Sequence, residues 1–496
     1  MFGGQHKHVD PKVGLGLYGP YSLVGQNKPP LSSITVGIIG SAAMVGDAEQ
    51  WLKKCANMIL NDGSEPFQRP HFPGINSDHP FCCELKYGDT WREIIREQEI
   101  KSAISGVNFY ERIKQIVHLY IQKIEILSER DPKPDAIICC IPQEVIDVCT
   151  VRITKSGEIK RRKISKSEKR AIKIIRTGQQ YLFPEMNPSI DIEEEEPGHH
   201  NLRRGLKAEA MQYGIPTQIV WPRTLTEIKS DESSQQDAAT RAWNFITALY
   251  HKAGGSPWRL AEIEPGTCFV GISFYRELSD KSPHLRTSMA QAFTAAGDGY
   301  VLRGNTFEWN ESEHGKSPHL DAKMASTLMS DVLSLYQRQN RGCYPSRVVV
   351  HKTSRFWEEE LTGFEEACQI IPRTDFVALG QRGIQFYRLG DYPPLRGTYV
   401  KLDDSDLILY TTGYIPYLKT YPGARVPRPL EIIEHHGDSP WNVILAEIMA
   451  LTKMNWNTAN FACSDPVTIA FSKRVGQILA ELPPNLSLRP EYRFYM

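Results

Sequence analysis

The chain has 496 residues, and its 58 lysines and arginines are balanced by 58 aspartates and glutamates. That length predicts roughly two to four domains with room for large buried cores. Because the formal net charge is zero, the protein has no global electrostatic attraction to nucleic acid or to an anionic membrane. Any site for a polyanion must therefore be a local basic patch.

The cysteines and the N-terminus predict a soluble, intracellular protein. The ten cysteines include two adjacent pairs, Cys82-Cys83 and Cys139-Cys140, but no C-x-x-C spacing, which favours a reducing, cytosolic compartment over a disulfide framework. The sequence MFGGQHKHVDPK has no apolar core of a signal peptide. No apolar run approaches the roughly 18 residues that span a bilayer.

The N-terminal part of the chain predicts a parallel α/β layer. After a Gly- and Pro-rich segment, strands are expected at 34–39 and 135–142 and helices at about 46–60 and 96–128. The Gly37-x-x-Gly40 pair is open to two interpretations, a nucleotide-binding loop or a tight turn from strand to helix. It lacks the third glycine and the later acid of a dinucleotide site, which favours the turn.

Residues 155–200 are set apart by blocks of opposite charge. Ten basic and two acidic side chains lie between Lys155 and Arg176, and an acidic run ends at Glu196. Such blocks are typical of a solvated insertion, although a basic arm that contacts a nucleic-acid backbone remains an alternative.

Regular patterns return from His200 onward. A second domain is expected to begin near Pro257-Trp258, since a strand-like run follows at 268–274. The predicted helices are 200–213, 238–251, 320–338, 356–370, 441–453 and 466–482. The predicted strands are 218–221, 268–274, 300–303, 347–351, 376–379, 384–387 and 407–411.

Four polar residues form the most informative constellation. Arg203 and Lys207 are four residues apart, so one helical face presents both cations. Gln218 begins the next strand, and Lys252 lies in the last turn of a later helix. Converging cations and an amide would neutralise a phosphate dianion. In the alternative interpretation Arg203 and Lys207 are solvated, and Lys252 complements a helix C-terminus.

The order of these features resembles the MID domain of Argonaute proteins. The resemblance rests on His200-Asn-Leu-Arg-Arg-Gly-Leu-Lys207, then Gly214-Ile-Pro-Thr-Gln218, then His251-Lys-Ala-Gly-Gly-Ser-Pro-Trp258. In that family such positions hold the 5′-phosphate of a guide strand, and those roles would fall on Arg203, Lys207, Gln218 and Lys252. Later motifs, including Cys268-Phe-Val-Gly-Ile-Ser-Phe274 and Leu451-Thr-Lys-Met-Asn-Trp456, resemble the PIWI domain.

The resemblance implies an α/β protein with a Rossmann-like MID domain followed by an RNase H-like PIWI domain. The implied boundaries are a lead-in segment at 1–30, MID at 31–260 with the charged insertion, and PIWI at 261–496. This organisation is that of a short prokaryotic Argonaute.

The resemblance also implies that the PIWI domain does not cut. Slicing members bind two Mg²⁺ ions through positions that are mostly carboxylates, because hard cations prefer oxygen ligands. This chain has Ser273, Lys352 and Lys473 at such positions, and a lysine repels a metal cation. In the alternative, other acids form a rearranged Mg²⁺-dependent nuclease; the candidates are Glu277, Asp298, Glu308 and Asp375.

Partners and cofactor follow from the same resemblance. A 5′-phosphorylated guide RNA, a single-stranded DNA target and a companion effector with a PAZ-like region (Sir2, TIR or nuclease type) are implied, acting in defence against plasmids or phage. A structural Mg²⁺ would be shared by the guide phosphate and the C-terminal carboxylate of Met496; alternatively, the aromatic tail 492–496 is a core plug. A third interpretation, a small-molecule α/β enzyme, would use the Gly37-x-x-Gly40 pair.

Overall fold

The computed structural model describes residues 1–21, 30–63, 67–78, 80–106, 108–149, 152–153, 159–160, 201–227, 235–276, 285–294, 299–315, 317–381, 384–386, 393–402, 407–423, 426–483 and 486–496. Apart from 159–160, the charged segment 155–200 lies outside these residues, as do Glu277 and Asp298. All ten cysteines are described and are free thiols. Within the described ranges, no helix combines the length and the apolar character that crossing a bilayer requires.

The strands are β1 (Ser33–Gly40), β2 (Glu84–Lys86), β3 (Arg92–Ile94), β4 (Ala136–Cys140), β5 (Arg152–Ile153), β6 (Ile159–Lys160), β7 (Thr217–Val220), β8 (Thr267–Tyr275), β9 (Leu285–Thr294), β10 (Gly299–Glu308), β11 (Arg347–Lys352), β12 (Thr374–Gln381), β13 (Tyr399–Lys401), β14 (Leu407–Leu409) and β15 (Leu430–Gly437).

The helices are α1 (Pro11–Tyr18), α2 (Ala42–Cys55), α3 (Glu97–Ile104), α4 (Phe109–Ser128), α5 (Gln143–Cys149), α6 (Leu202–Ala210), α7 (Pro222–Leu225), α8 (Ala238–Lys252), α9 (Glu311–His314), α10 (Ala322–Gln339), α11 (Glu358–Ala367), α12 (Trp441–Leu451) and α13 (Val467–Leu479).

The first sheet is parallel throughout its described pairings. Its order is β2–β1–β4–β7; the first residues of β1 pair with β2, and its last residues pair with β3 on the same side. Alternate residues of β1 enter different cores: Ile38 belongs to the cluster that contains residues of α2, and Ile39 to the cluster that contains residues of α4. Both faces are therefore covered by helices, as a parallel sheet requires. This layer confirms the Rossmann-like prediction.

Two local predictions for this layer are corrected. The predicted 96–128 helix is two helices, because Asn108 accepts a hydrogen bond from the Glu111 N–H (2.8 Å) and starts α4 afresh. The two glycines lie within β1 rather than in a turn. A Cβ at Gly40 would come within 2.8 Å of the Cys140 Cβ, so the residue allows close packing of β1 against β4. Ser41 caps α2.

The second sheet is mixed, with the order β10–β9–β8–β11–β12–β15–β14–β13. Strands β8, β9 and β10 are antiparallel neighbours, whereas β11 runs parallel to both β8 and β12. Three antiparallel strands followed by two parallel ones agree with the RNase H-like fold. Strands β9, β13 and β15 were not predicted, and residues 384–386 of the predicted 384–387 strand form no strand.

The first sheet lies within the predicted MID range and the second within the predicted PIWI range; the exact domain limits stay predictions. The two parts contact each other through α13 and α6. Arg204 donates to the Gln477 amide oxygen (2.8 Å), and the Asn201 N–H donates to Glu481 (3.2 Å). The C-terminal side chains Tyr492 and Phe494 are buried in a core shared with residues of α8. These contacts fix the surroundings of the candidate site.

Candidate nucleic-acid interface

Helix α6 carries the two predicted cations. It starts because the Asn201 side chain accepts a hydrogen bond from the Arg204 N–H. After a short 3₁₀ turn, Gly214 has φ +70°, a conformation that favours glycine. Pro216 then directs the chain into β7, which pairs with β4. Lys207 on α6 thereby faces the start of β7.

Helix α8 brings the other cation to the same place. Its N-terminus is capped by Asp237, which accepts a hydrogen bond from the Thr240 N–H (3.0 Å). The chain leaves the helix at Gly254, which has φ +98°. Lys252 in the last turn is 3% exposed and turns into the protein. Helix α8 is buried along most of its length, and Lys252 at its C-terminus is packed inside the protein rather than solvated.

The structure brings the four predicted residues together in one pocket of about 260 Å³, which we call the phosphate pocket after the role predicted from the sequence. The Lys207 ammonium donates to the Thr217 carbonyl (3.0 Å), and the Lys252 ammonium donates to the Gln218 amide oxygen (3.1 Å). Gln218 in turn donates to the Phe245 carbonyl (3.2 Å). Arg203 lies at the exposed mouth. The interpretation of Lys207 as solvated is wrong, since the residue is 2% exposed.

The electrostatics of the pocket are those of crowded, poorly hydrated cations. Burial, together with the charges of Lys252 and Arg203, holds the pKa of Lys207 well below its usual value. Burial and Arg203 lower the pKa of Lys252 to about 7. Loss of hydration and the neighbouring Arg474 lower the pKa of Arg203, although much of its side chain is exposed. An anion bound among these groups would reverse each shift.

Sequence reasoning missed Arg241 and Asn457, which also line the phosphate pocket. Arg241 is 7% exposed and donates to the carbonyls of Arg223, Thr224 and Thr226. A signal existed, because positions 241, 245, 248 and 252 share one helical face that ends at the predicted lysine.

Met496 lines the phosphate pocket as well. Its neighbours in the tail, among them Tyr492 and Tyr495, are buried in the core, so the tail also fills space between elements. None of the described residues that line the pocket contributes an Asp or Glu side chain. A Mg²⁺ ion would therefore have the Met496 carboxylate, amide oxygens and the oxygens of a bound phosphate as ligands. Such a set fits Mg²⁺, which commonly pairs one carboxylate with substrate phosphates, provided that the phosphate is bound, because the cations of the empty pocket would repel the ion.

The positions predicted by the resemblance to correspond to slicer ligands meet in a second place. Ser273 on β8, Lys352 at the end of β11 and Ser472 on α13 line a cavity of about 590 Å³, the PIWI cavity. Lys473 follows Ser472 on α13; its side chain lies outside the described part of the structure. Arg276 and Arg286 add positive charge, and no Asp or Glu occurs among the described lining residues.

The charge of Lys352 is neutralised by a buried acid. It is 1% exposed, and its ammonium forms an ion pair with Glu360 and donates to Nδ1 of His319 (2.9 Å). Burial lowers the pKa of Lys352, and Glu360 opposes this shift. Burial alone would raise the pKa of Glu360, but the neighbouring His319 and Lys352 lower it. The wall of the PIWI cavity at Lys352 is therefore a buried ion pair.

The two candidate acids that the structure describes, Asp375 and Glu308, lie in different surroundings. Asp375 is buried and accepts hydrogen bonds from Arg347 (2.7 Å), His435 (2.7 Å) and Ser439 (2.7 Å); burial alone would raise its pKa, but these partners lower it to about 2. Glu308 is exposed at the end of β10. Within the described ranges, no group of three or more His, Cys, Asp or Glu side chains is placed to hold a metal ion.

Comparison with proteins of known identity gives consistent relatives. No protein-family model matches the chain. The Argonaute of Aquifex aeolicus (strain VF5) is 23% identical over 279 residues, which are 55% of this chain and 35% of that protein. The Argonaute of Thermus thermophilus is 24% identical over 262 residues, or 51% of this chain and 33% of that protein. The match thus spans about a third of the length of these relatives.

Solved structures show the same fold. A structure of Clostridium butyricum Argonaute bound to a guide DNA and a 19-mer target DNA matches 98% of this chain and 52% of that chain, with a TM-score of 0.61 and 14% identity. The Aquifex aeolicus Argonaute with externally bound siRNA matches 100% of this chain and 55% of that chain (TM-score 0.54, 16% identity). The chain spans about half the length of these proteins. By sequence and by fold, it is a homologue of the Argonautes.

Proposed function

We propose that this chain binds a short, 5′-phosphorylated guide, RNA by the resemblance, and uses it to recognise complementary single-stranded DNA without cutting it. The observation that carries the proposal is the phosphate pocket, where Lys207, Gln218 and Lys252 are buried with Arg203 at the mouth. The described lining residues include no Asp or Glu side chain that could pair with these cations, so a phosphate dianion would supply negative charge that the side chains do not.

Specificity would come from base pairing between guide and target, with the protein holding the backbone. The same division of labour operates in other guided systems. The relative from Clostridium butyricum was solved with both a guide DNA and a target DNA, which supports a nucleic-acid partner for this fold.

The proposed lack of cleavage is supported by the PIWI cavity. Two-metal hydrolysis needs carboxylates that hold both ions on the scissile phosphate. By the resemblance, Ser273 and Lys352 would stand at two of those positions; both line one cavity, and Lys352 is paired with Glu360. A buried ammonium at this place repels a divalent cation, so the target strand would remain intact.

The Mg²⁺ in this proposal serves guide binding. The carboxylate of Met496 and the guide phosphate would share the ion, which offsets phosphate charge when bound. The chain's own cations would orient the phosphate, and the Gln218 amide nitrogen would donate to a phosphate oxygen, because a phosphate dianion only accepts hydrogen bonds.

By the resemblance to short prokaryotic Argonautes, target recognition by this chain would be reported by another subunit. We infer a companion with a PAZ-like region and a Sir2, TIR or nuclease effector, active in the prokaryotic cytoplasm against plasmids or phage. Co-expression with the neighbouring gene product tests this inference. Target-dependent NAD⁺ loss or nucleic-acid degradation is expected; a companion that neither binds nor responds contradicts it.

The guide proposal is tested by binding 5′-phosphorylated and 5′-hydroxyl RNA and DNA guides in Mg²⁺, then adding complementary single-stranded DNA. We expect preference for the phosphate and an uncut target. Lys207→Ala with Gln218→Ala should abolish that preference, whereas Lys101→Ala, an exposed lysine paired with Glu97, should not. An unchanged preference in the double variant would refute the pocket assignment, and a cut target would refute the lack of cleavage.

A further inference from the structure

An exposed tryptophan lies beside the PIWI cavity. Trp357 immediately precedes α11 and is 43% exposed. Its ring stacks on His319, with 4.2 Å between the ring centres and 14° between the ring planes, and the Trp309 ring packs against it at 5.5 Å. His319 and Trp309 are themselves buried, so these three rings, the aromatic cluster, hold Trp357 in place while much of its surface stays open to solvent. A rigid, partly exposed tryptophan is typical of an anchor residue at a protein interface.

Two chain segments connect the aromatic cluster to the PIWI cavity. Residues 317–318 and 352–354 line the cavity; the first segment leads directly into His319, and the second leads to Trp357 three residues later. The Lys352 ammonium, in the cavity wall, donates to Nδ1 of His319 (2.9 Å). A partner that contacts Trp357 is therefore separated from the cavity wall only by the His319 ring.

The helix that follows Trp357 carries negative charge. Helix α11 has five glutamates and no lysine or arginine. Glu360 is buried and pairs with Lys352, whereas the other four are exposed: Glu358, Glu359, Glu365 and Glu366. Among the residues that the structure describes, none forms an ion pair with these four. Arg355, the exposed cation two residues before Trp357, is already paired with Glu434 (3.2 Å). The tryptophan is therefore bordered by carboxylates that this part of the chain does not neutralise.

These charges determine which class of partner fits the aromatic cluster. Exposed carboxylates repel the phosphates of a nucleic acid or of an anionic membrane. A second copy of the chain, bound through the same face, would place glutamates against glutamates. A lysine or arginine side chain, by contrast, can lie over the Trp357 ring in a cation–π contact while neighbouring cations pair with the exposed glutamates. The surface therefore fits a basic segment of another protein.

We propose that Trp357 and the exposed glutamates of α11 dock a basic segment of the companion subunit. This inference rests on the proposed function and gives the companion a place on this chain. The companion has to respond to target recognition, and the aromatic cluster adjoins the PIWI cavity through His319 and Lys352. The Trp357 ring would anchor the segment when it is buried, and the glutamates would attract and orient it.

The test measures binding of the purified neighbouring gene product to the full chain loaded with guide. Trp357→Ala removes the proposed anchor. The matched control is Tyr344→Ala, which removes a similarly exposed aromatic ring (48%) from the loop between α10 and β11. A further variant, Glu358→Gln with Glu359→Gln, removes two exposed charges and preserves the shape of the surface. Association and dissociation rates are measured at several salt concentrations, and the affinities for guide and target are measured beside them.

Trp357→Ala should weaken binding of the gene product at least about tenfold, mainly through faster dissociation. The double glutamine variant should slow association and flatten its salt dependence. Guide and target affinities should be unchanged in every variant, and Tyr344→Ala should bind the gene product as the wild type does.

Equal affinity of Trp357→Ala and the wild type for the gene product would overturn the inference, and so would an equal loss in Tyr344→Ala. A loss of target affinity in Trp357→Ala would also overturn it, because the ring would then contact nucleic acid. A wild-type chain that does not bind the gene product would instead refute the companion in the proposed function.

Discussion

The protonation of Lys252 couples phosphate binding to pH. In the free protein burial and Arg203 lower its pKa to about 7, so about half of the molecules carry a neutral amine at neutral pH. A phosphate dianion in the pocket favours the ammonium and raises the pKa of the bound state. Binding above pH 7 therefore takes up a proton, and affinity falls as pH rises.

The magnitude follows from the free-state value. The protonated fraction of Lys252 falls from about one half at pH 7 to about one hundredth at pH 9, so affinity should fall about fifty-fold over that range. Lys207, whose pKa is also lowered, can only steepen the fall. The phosphate does not contribute, since its second ionisation lies near pH 6 and is complete above pH 7.

The assay is a titration of 5′-phosphorylated and 5′-hydroxyl guides at pH 7, 8 and 9 at constant ionic strength. The ratio of the two affinities isolates the pocket from other titrating groups. Lys252→Met should bind less tightly at pH 7 and should flatten the dependence. A ratio that stays constant from pH 7 to pH 9 in the wild type would refute the linkage.

The effect of pH on the stability of the guide-free protein through Lys252 has the opposite sign to its effect on guide affinity. Between pH 7 and its unfolded pKa near 10.5, the unfolded chain binds more protons at Lys252 than the folded chain does. Its contribution to the free energy of unfolding without guide therefore increases as pH rises through this window. Opposite pH dependences of guide affinity and guide-free stability would be the signature of one buried amine.

Two further predictions concern buried ion pairs of the second sheet. Arg347→Met removes the cation that pairs with two buried carboxylates and should lower the free energy of unfolding in urea by about 3–5 kcal/mol. The exposed ion pair of Arg373 should contribute less than about 1 kcal/mol. Similar losses of stability on replacing Arg347 and on replacing Arg373 would contradict this prediction. Lys352→Met should destabilise to a similar extent, and adding Glu360→Gln should recover part of the loss; a double variant as unstable as the single one would contradict the pairing.

Sequence predicted the convergence at the phosphate pocket but not its burial. Spacing placed Arg203 and Lys207 on one helical face and Gln218 at the start of the next strand, and the resemblance implied that the three residues bind one phosphate. The burial of Lys207 depends on long-range packing: α13 joins α6 through Gln477, and the tail residue Met496 lines the pocket. A lysine on a nine-residue helix carries no local sign of such cover.

The missed and misplaced strands have a common physical cause. Strand β9 was not predicted because its interior positions include Thr287, Ser288 and Gln291, which are polar yet at most 1% exposed. Conversely, the apolar alternation at 384–387 predicted a strand, but Ile384 and Phe386 are 44% and 38% exposed. Hydrophobic periodicity reports burial of side chains, whereas a strand requires a neighbour with free backbone groups.

Charge compensation distinguishes the two cationic sites of this protein. In the phosphate pocket, Lys207 and Lys252 donate to a carbonyl and an amide, and the described lining includes no Asp or Glu side chain that could pair with them. In the PIWI cavity, Lys352 is buried just as deeply but is paired with Glu360. An uncompensated buried cation is costly without an anion, whereas a compensated one needs no ligand. The first arrangement therefore favours a bound phosphate, and the second favours a closed structural pair in place of a metal ion.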